Sequence, residues 1–368
     1  MSVRGVSPNH LLVSFRGSAA QVDRAFHTSL SSFRLPDGTI GRATTTPVEL
    51  PSSIASDVRV VAGLDSLVTF HSLGLHRSGL GHRAARATAA PSVAGGPTAC
   101  GAASADAAVN GGLTDSQIAS AYGAFGLYRQ GDTGAGESVA IFELEPFARS
   151  DISTFDTCYF GAHAAAAMAG RLHVTAVDGG EPSGFGSGEA LLDVEDVSAL
   201  APGARIDVYE APNSTYGSID DYNQIVSADA DQVVSTSWGL CETALQQGAP
   251  GQLQEENAIF QEAAAQGQTV VAAAGDDGSD DCNSFYSLSP VKPVLSVDDP
   301  GSQPYVVSAG GSTIDDATQP PVEQVWNDGI KGGAGGGGIS NTWVMPSWQS
   351  ASHVPGIAPS SALATAAH

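Results

Sequence analysis

From Leu113 onward, short apolar runs of strand length alternate with longer amphipathic stretches, and this alternation restricts the fold more than any other feature of the chain. Strands are expected at residues 138–142, 206–209, 232–236, 269–273 and 305–308. Helices are expected near residues 116–122, 150–157, 189–200, 218–228 and 252–266. Parallel neighbours need a long crossover, usually a helix. The implied class is therefore α/β, a parallel sheet covered by helices on both faces. In such sheets the chemistry gathers beyond the carboxyl ends of the strands.

One of the helices carries paired carboxylates. Leu192, Val194, Val197 and Leu200 space a mostly buried helix that opens after the glycine-rich loop at residues 184–188 and stops at Pro202. Glu189 and Asp193 are four apart, so they share one face, about 6 Å apart along the axis. Two carboxylates so placed can share a proton and divide into an acid and a base.

The 368 residues suffice for two domains. Residues 1–70 mix strand-like runs (10–15 and 58–64) with a helix near 18–30 and read as a small α+β unit. Residues 71–112 turn to Gly, Ala, Ser and scattered Arg, a linker suited to proteolytic cutting. Residues 113–368 hold the α/β pattern. The net charge of −24 is uneven: residues 1–100 carry nine Arg against five carboxylates, and the remainder carries six bases against 34 acids. An acidic body argues against nucleic acid and anionic membranes as partners and suits an acidic medium. No apolar run is long enough to span a bilayer, and none follows Met1-Ser2-Val3-Arg4, so no secretory signal is visible. Cys100, Cys158, Cys241 and Cys282 lack CxxC spacing and read as two disulfides rather than a metal site. Cys100 with Cys158 and Cys241 with Cys282 is the expected pairing among those that sequence leaves open.

Two strand ends complete the pattern. The strand at Val233 runs into Ser237-Trp238-Gly239, and the strand at Val270 into Ala273-Ala274-Gly275-Asp276. Together with the helix of Glu189 and Asp193, and in that order, they resemble the sedolisin family of serine-carboxyl peptidases. The resemblance extends through Pro304-Tyr305-Val306, Gly310-Gly311-Ser312-Thr313, Val325-Trp326-Asn327, the glycine run 332–338 and Pro346-Ser347-Trp348-Gln349. Leu50-Pro51 and Val61-Ala62-Gly63-Leu64 resemble the second half of the family's activation prodomain, ferredoxin-like in kind. The resemblance implies a subtilisin-like fold, a prodomain acting as an intramolecular inhibitor, peptides or unfolded proteins as substrates, acid-pH cleavage, secretion and bound calcium. It implies Glu189 as general base, Asp193 as its hydrogen-bonding partner, Asp276 as the oxyanion residue, and Trp238, Gly239 and Gly275 along the cleft. The chemistry is coherent: a carboxylate base works near its own pKa, and an oxyanion-stabilising Asp must be protonated, so both ask for acid.

The resemblance also implies a serine in a Gly-Thr-Ser motif, and no such motif occurs in the 368 residues. The calcium ligands are expected later still, outside this chain. Both ends read as cut, so the chain alone is expected to be inactive, and a non-catalytic relative that binds peptides is the alternative. Ser312 stands where the family carries a structural motif and is not expected to be the nucleophile. A Ser-His-Asp triad finds no match, because none of His163, His173, His353 and His368 is followed by Gly-Thr. The glycine run lacks the Lys and Ser/Thr of a phosphate loop and is expected to be a flexible or structural loop.

Overall fold

The computed structural model describes residues 1–35, 38, 40–73, 90–181, 187–249, 251–282, 295–329 and 332–351. The loop at 184–186, the stretch 74–89 of the linker, His353 and His368 lie outside the described residues.

The N-terminal unit is α+β. Strands β1 (Ser2–Val6) and β2 (Val13–Arg16) form one antiparallel hairpin, and β3 (Leu30–Arg34) and β4 (Ile40–Thr44) a second, with helix α1 (Ala19–Phe26) between them. Ser18 and Gln21 close a capping box at the start of α1. The helix is shorter than expected because Leu30 opens β3, and the run 58–64 forms no strand. Its Val61 and Leu64 instead pack with Val22 and Phe26 of α1. Asn9 Nδ2 ties this unit to the body, donating to Asn223 Oδ1 and Glu262 Oε2 at 2.9 and 2.8 Å.

Strand β5 (His71–Ser72) and helix α2 (Gly101–Asn110) fall within the expected linker. The helix owes its existence to Ala102, Ala103, Ala105, Ala107 and Ala108, the best helix formers. Cys100 just before it is bonded to Cys158, and Cys241 is bonded to Cys282.

The body follows as α3 (Asp115–Ala121), α4 (Ala124–Tyr128), β6 (Ser138–Glu143), α5 (Arg149–Ala169), β7 (Leu172–Ala176), α6 (Gly188–Leu200), β8 (Arg205–Glu210), α7 (Thr215–Ala228), β9 (Val233–Thr236), β10 (Trp238–Cys241), α8 (Glu242–Gly248), α9 (Gln252–Gln266), β11 (Thr269–Ala273), β12 (Asp298–Asp299), β13 (Val306–Ala309), β14 (Ser312–Asp316), β15 (Val322–Val325) and α10 (Ser347–Ala351). Six strands form a parallel sheet in the order β13-β11-β9-β6-β8-β7. Five of them coincide with the expected strands. The sixth, β7, is an edge strand whose polar His173 and Thr175 hid it. Helix α5 runs well past the expected 150–157, broken at Gly161, where φ is 79° and a Cβ would be strained.

The sheet is clothed on both faces. Ile141, Val194, Ile206 and Val208 meet Ile152 in a core under α5 and α6. On the other face Phe142 stacks on Tyr222 with ring centroids 3.9 Å apart, Phe260 meets Tyr222 edge-on at 4.9 Å, and the Tyr222 hydroxyl reaches Thr236 Oγ1 at 2.9 Å. Among the described residues no helix is long and apolar enough to cross a membrane.

Because Phe142 is 1% exposed at the centre of this core, Phe142→Ala is expected to cost about 3–5 kcal/mol of unfolding free energy. Val325→Ala, on a side chain 77% exposed, should stay within about 0.5 kcal/mol, both read by denaturant unfolding.

Candidate active site

The strands β6, β9 and β11 end on the same edge of the sheet, and acidic side chains collect there. Strand β6 ends in Glu143, and Glu145 follows two residues later. Glu145 Oε1 accepts the amides of Glu189 and Ala190 at 2.7 and 3.0 Å. These belong to the first turn of α6, where amides have no intrahelical acceptor and a carboxylate meets the positive end of the helix dipole. Ser187 at the N-cap gives no side-chain bond of its own, so Glu145 acts in its stead.

Fixed in this way, α6 presents Glu189 and Asp193 one turn apart. Glu189 is 1% exposed, and Ser237 is the hydroxyl close enough to ease its carboxyl's burial. Ser237 Oγ donates to Asp193 Oδ1 at 2.8 Å, and Trp238 Nε1 donates to Glu143 Oε2 at 2.9 Å. Burial first, and then the negative charge of Asp193, push Glu189 up to about 8, against a smaller opposing effect of the Ser237 hydroxyl. Burial likewise takes Asp193 to about 6, while hydrogen bonds from Ser237 and Glu143 hold it down. Burial and the Asp193 charge raise Glu143 well above the ordinary carboxylate range. Asp193 and Glu143 are thus joined by a hydrogen bond, with Ser237 and Trp238 at its ends, and Glu189 is coupled to the pair by charge.

Asp276 faces the same cluster, near enough for its charge to raise Glu189. It sits on the turn after β11, held from two sides. Asp281 Oδ1 accepts the amides of Asp276 and Asp277 at 3.2 and 3.4 Å. The glycine run supplies the other side: Ala334 N–H donates to Asp276 O at 2.7 Å and Gly336 N–H to Gly275 O at 2.8 Å. The run is therefore a structural splint for this turn. Gly275 has φ of 104°, and a Cβ there would lie 2.2 Å from Asp281 Oδ1. A Cβ on Gly239 would lie 1.9 Å from Asp298 Oδ1, so no larger residue fits either place.

Next to the cluster the chain adds a strand of its own to the sheet edge. His71 and Ser72 of β5 pair antiparallel with Gly239 and Trp238 of β10, and Leu73 N–H donates to Ser237 O at 2.6 Å. Phe70 and Leu73 are 5% and 9% exposed. The segment is thus added as a strand beside the carboxylates, the way extended peptides join an open sheet edge.

Glu143 and Glu145 were not singled out from sequence, although both lie just past the carboxyl end of an expected strand, the position that drew attention to Ser237 and Asp276. The other candidates lie elsewhere. Ser312 Oγ bonds Glu323 Oε1 at 2.8 Å on the exposed β14–β15 hairpin, His173 Nδ1 lies 2.7 Å from Asp207 Oδ1, and His163 is exposed on α5. Among the described residues no group of three or more His, Cys, Asp or Glu side chains is arranged to hold a metal ion.

Comparison with known proteins agrees with this architecture. Residues 1–67 match the Pro-kumamolisin activation domain and residues 161–361 the Subtilase family. Kumamolisin of Bacillus sp. (strain MN-32) is 35% identical over 352 residues, 92% of this chain and 56% of that protein. Sedolisin of Pseudomonas sp. (strain 101) is 32% identical over 364 residues, 94% of this chain and 56% of that protein. The chain thus spans about half the length of these relatives. The solved structure of Pseudomonas sedolisin, a serine-carboxyl proteinase complexed with two molecules of pseudo-iodotyrostatin, superimposes with a TM-score of 0.53 at 28% identity, over 67% of this chain and 69% of that one.

Carboxyls raised in the folded state bind protons more tightly there than in the unfolded chain, so their contribution to stability is full below the unfolded pKa and is lost as pH rises through the folded one. Glu189, Asp193, Glu195, Asp196, Asp220 and Asp231 all move from about 4 to values between about 6 and 8. The melting temperature is therefore expected to fall steadily between about pH 4 and pH 8, and Glu189→Gln should flatten part of that slope in scanning calorimetry.

Proposed function

The chain belongs to the sedolisin family of serine-carboxyl peptidases within the subtilases, and from that premise we propose that the cluster around Glu189 is the proton-handling half of an acid-acting serine-type endopeptidase. The observation that carries this reading is the convergence of buried Glu189 and half-buried Asp193 with Asp276 beside an added extended strand. In the reading, Glu189 takes the proton of an attacking serine hydroxyl and becomes neutral, and Asp193, backed by Glu143 and Trp238, holds Glu189 through a shared hydrogen bond while the negative charge passes to the oxyanion. A protonated Asp276 donates a hydrogen bond to the oxyanion as the tetrahedral intermediate forms. In this reading neither the serine nor the calcium ligands are assigned to residues of this chain, and no step here passes through the metal.

Residues 1–70 are the inhibitory prodomain in this reading, 71–112 the linker that is cut on maturation, and 113–368 the peptidase body. In this reading the segment around β5 inhibits by pairing with β10 beside the site, where a substrate strand would lie, and so limits the access of water to Glu189. Burial then holds Glu189 neutral, and a neutral carboxyl is no base. Release of the strand hydrates the site and returns the base to the acid range. Two disulfides suit an oxidising, extracellular setting.

The alternative is a non-catalytic protein that binds peptides, favoured by the lack of a Gly-Thr-Ser motif. The 368-residue chain is expected to leave denatured protein intact near pH 4 and to behave identically as Glu189→Ala. Cleavage that disappears in Glu189→Ala would mean that a serine of this chain serves as nucleophile, and Ser237→Ala would then be the first variant to assay.

A further inference from the structure

The strand in the groove is held from both flanks. In an extended chain successive residues turn their backbone N–H and C=O groups to opposite sides. His71 and Leu73 face β10 and Ser237. Phe70 faces the other way, where β10 cannot reach, and there one side chain meets both of its polar groups. Phe70 N–H donates to Asn213 Oδ1 at 2.8 Å, and Asn213 Nδ2 donates to Phe70 O at 3.0 Å. Asn213 lies just past the carboxyl end of β8, before the Ser214 cap of α7, and its own amide donates to Glu181 Oε2 at 2.8 Å. A carboxamide carries a donor and an acceptor side by side, which a two-point grip on a main chain requires and which neither a carboxylate nor an ammonium offers.

We propose that Asn213 is a peptide-recognition residue that clamps the main chain of an extended ligand opposite β10, and that the groove takes peptides with large apolar side chains at the positions of Phe70 and Leu73. This rests on the reading of the groove as the peptide site. The grip on backbone groups is blind to sequence, so selectivity falls to the buried side chains. Phe70 lies in the same apolar cluster as Trp238, Leu240 and Leu253, while Thr69 is exposed and His71 lies close enough to Asp281 and Asp277 to feel their charge, so its position favours a polar or cationic residue.

Amide hydrogen exchange on the 368-residue protein reads the clamp without any need for catalysis. Asn213→Ala and the isosteric Asn213→Asp should each speed exchange of the Phe70 amide region by roughly fivefold or more, with the amides of β6 unchanged as the control for folding. Unchanged exchange at Phe70 in both variants would overturn the clamp. A second arm uses a protein whose own strand is weakened by Phe70→Ser and Leu73→Ser, and a blocked peptide of sequence Val-Thr-Phe-His-Ser-Leu. Binding should drop roughly tenfold on adding Asn213→Asp and vanish for Val-Thr-Ser-His-Ser-Ser. Equal binding with and without Asn213 overturns the clamp. No binding by either protein, with Phe70 exchange nonetheless accelerated, overturns the recognition of outside peptides and the reading of the groove beneath it.

Discussion

The bond from Glu145 to the first turn of α6 is the constraint on which the site depends. It joins the end of the central strand β6 to the start of the helix that carries Glu189 and Asp193, through two amides that would otherwise be buried without acceptors. Because Glu143, the last residue of β6, lies two residues before Glu145, one short stretch sets both the helix and the carboxyl facing it. The hydrophobic core under α5 and α6 packs Val194 of the helix against the sheet, and the capping carboxylate fixes the position of its first turn.

The same arrangement explains why so many acids are tolerated inside this protein. Glu143, Glu189, Asp298 and Asp299 are each no more than 1% exposed. A lone buried carboxylate would be costly, but a carboxyl that keeps its proton is only a polar group in need of a partner. Asp281 finds such a partner in Asp298, while its other contacts fix the turn of Asp276. Protonation thus serves packing and chemistry together. The two glycines, Gly239 and Gly275, let backbone and carboxyls approach at distances that any side chain would prevent.

The parallel sheet was readable because its strands are short apolar runs set apart by amphipathic helices, a pattern that local propensity and burial enforce jointly. Strand β7 escaped notice because an edge strand has one wet side and its apolar residues are few. The α6 pair was readable from its spacing of four. Glu143 and Glu145 were not, since nothing in a one-dimensional pattern tells which acids at a strand end turn inward. Asn213 was hidden for another reason: its partners are backbone atoms nearly 150 positions away in the chain, and backbone contacts leave no trace in residue type. The glycine run showed its need for close approach, but the turn it approaches could be named only from the fold.

The central claim is that protons, held by burial, keep the Glu143, Asp193 and Glu189 cluster together at the carboxyl end of the sheet. Carbon-13 NMR titration of the side-chain carboxyls in the 368-residue protein, with Glu143→Gln and Glu189→Gln for assignment, tests it most directly. The expected result is that the Glu189 carboxyl still shows the chemical shift of the protonated form near neutral pH, and that Glu143 loses its proton at higher pH than the surface acids. Titration of both with the surface acids, in the ordinary carboxylate range, would contradict it.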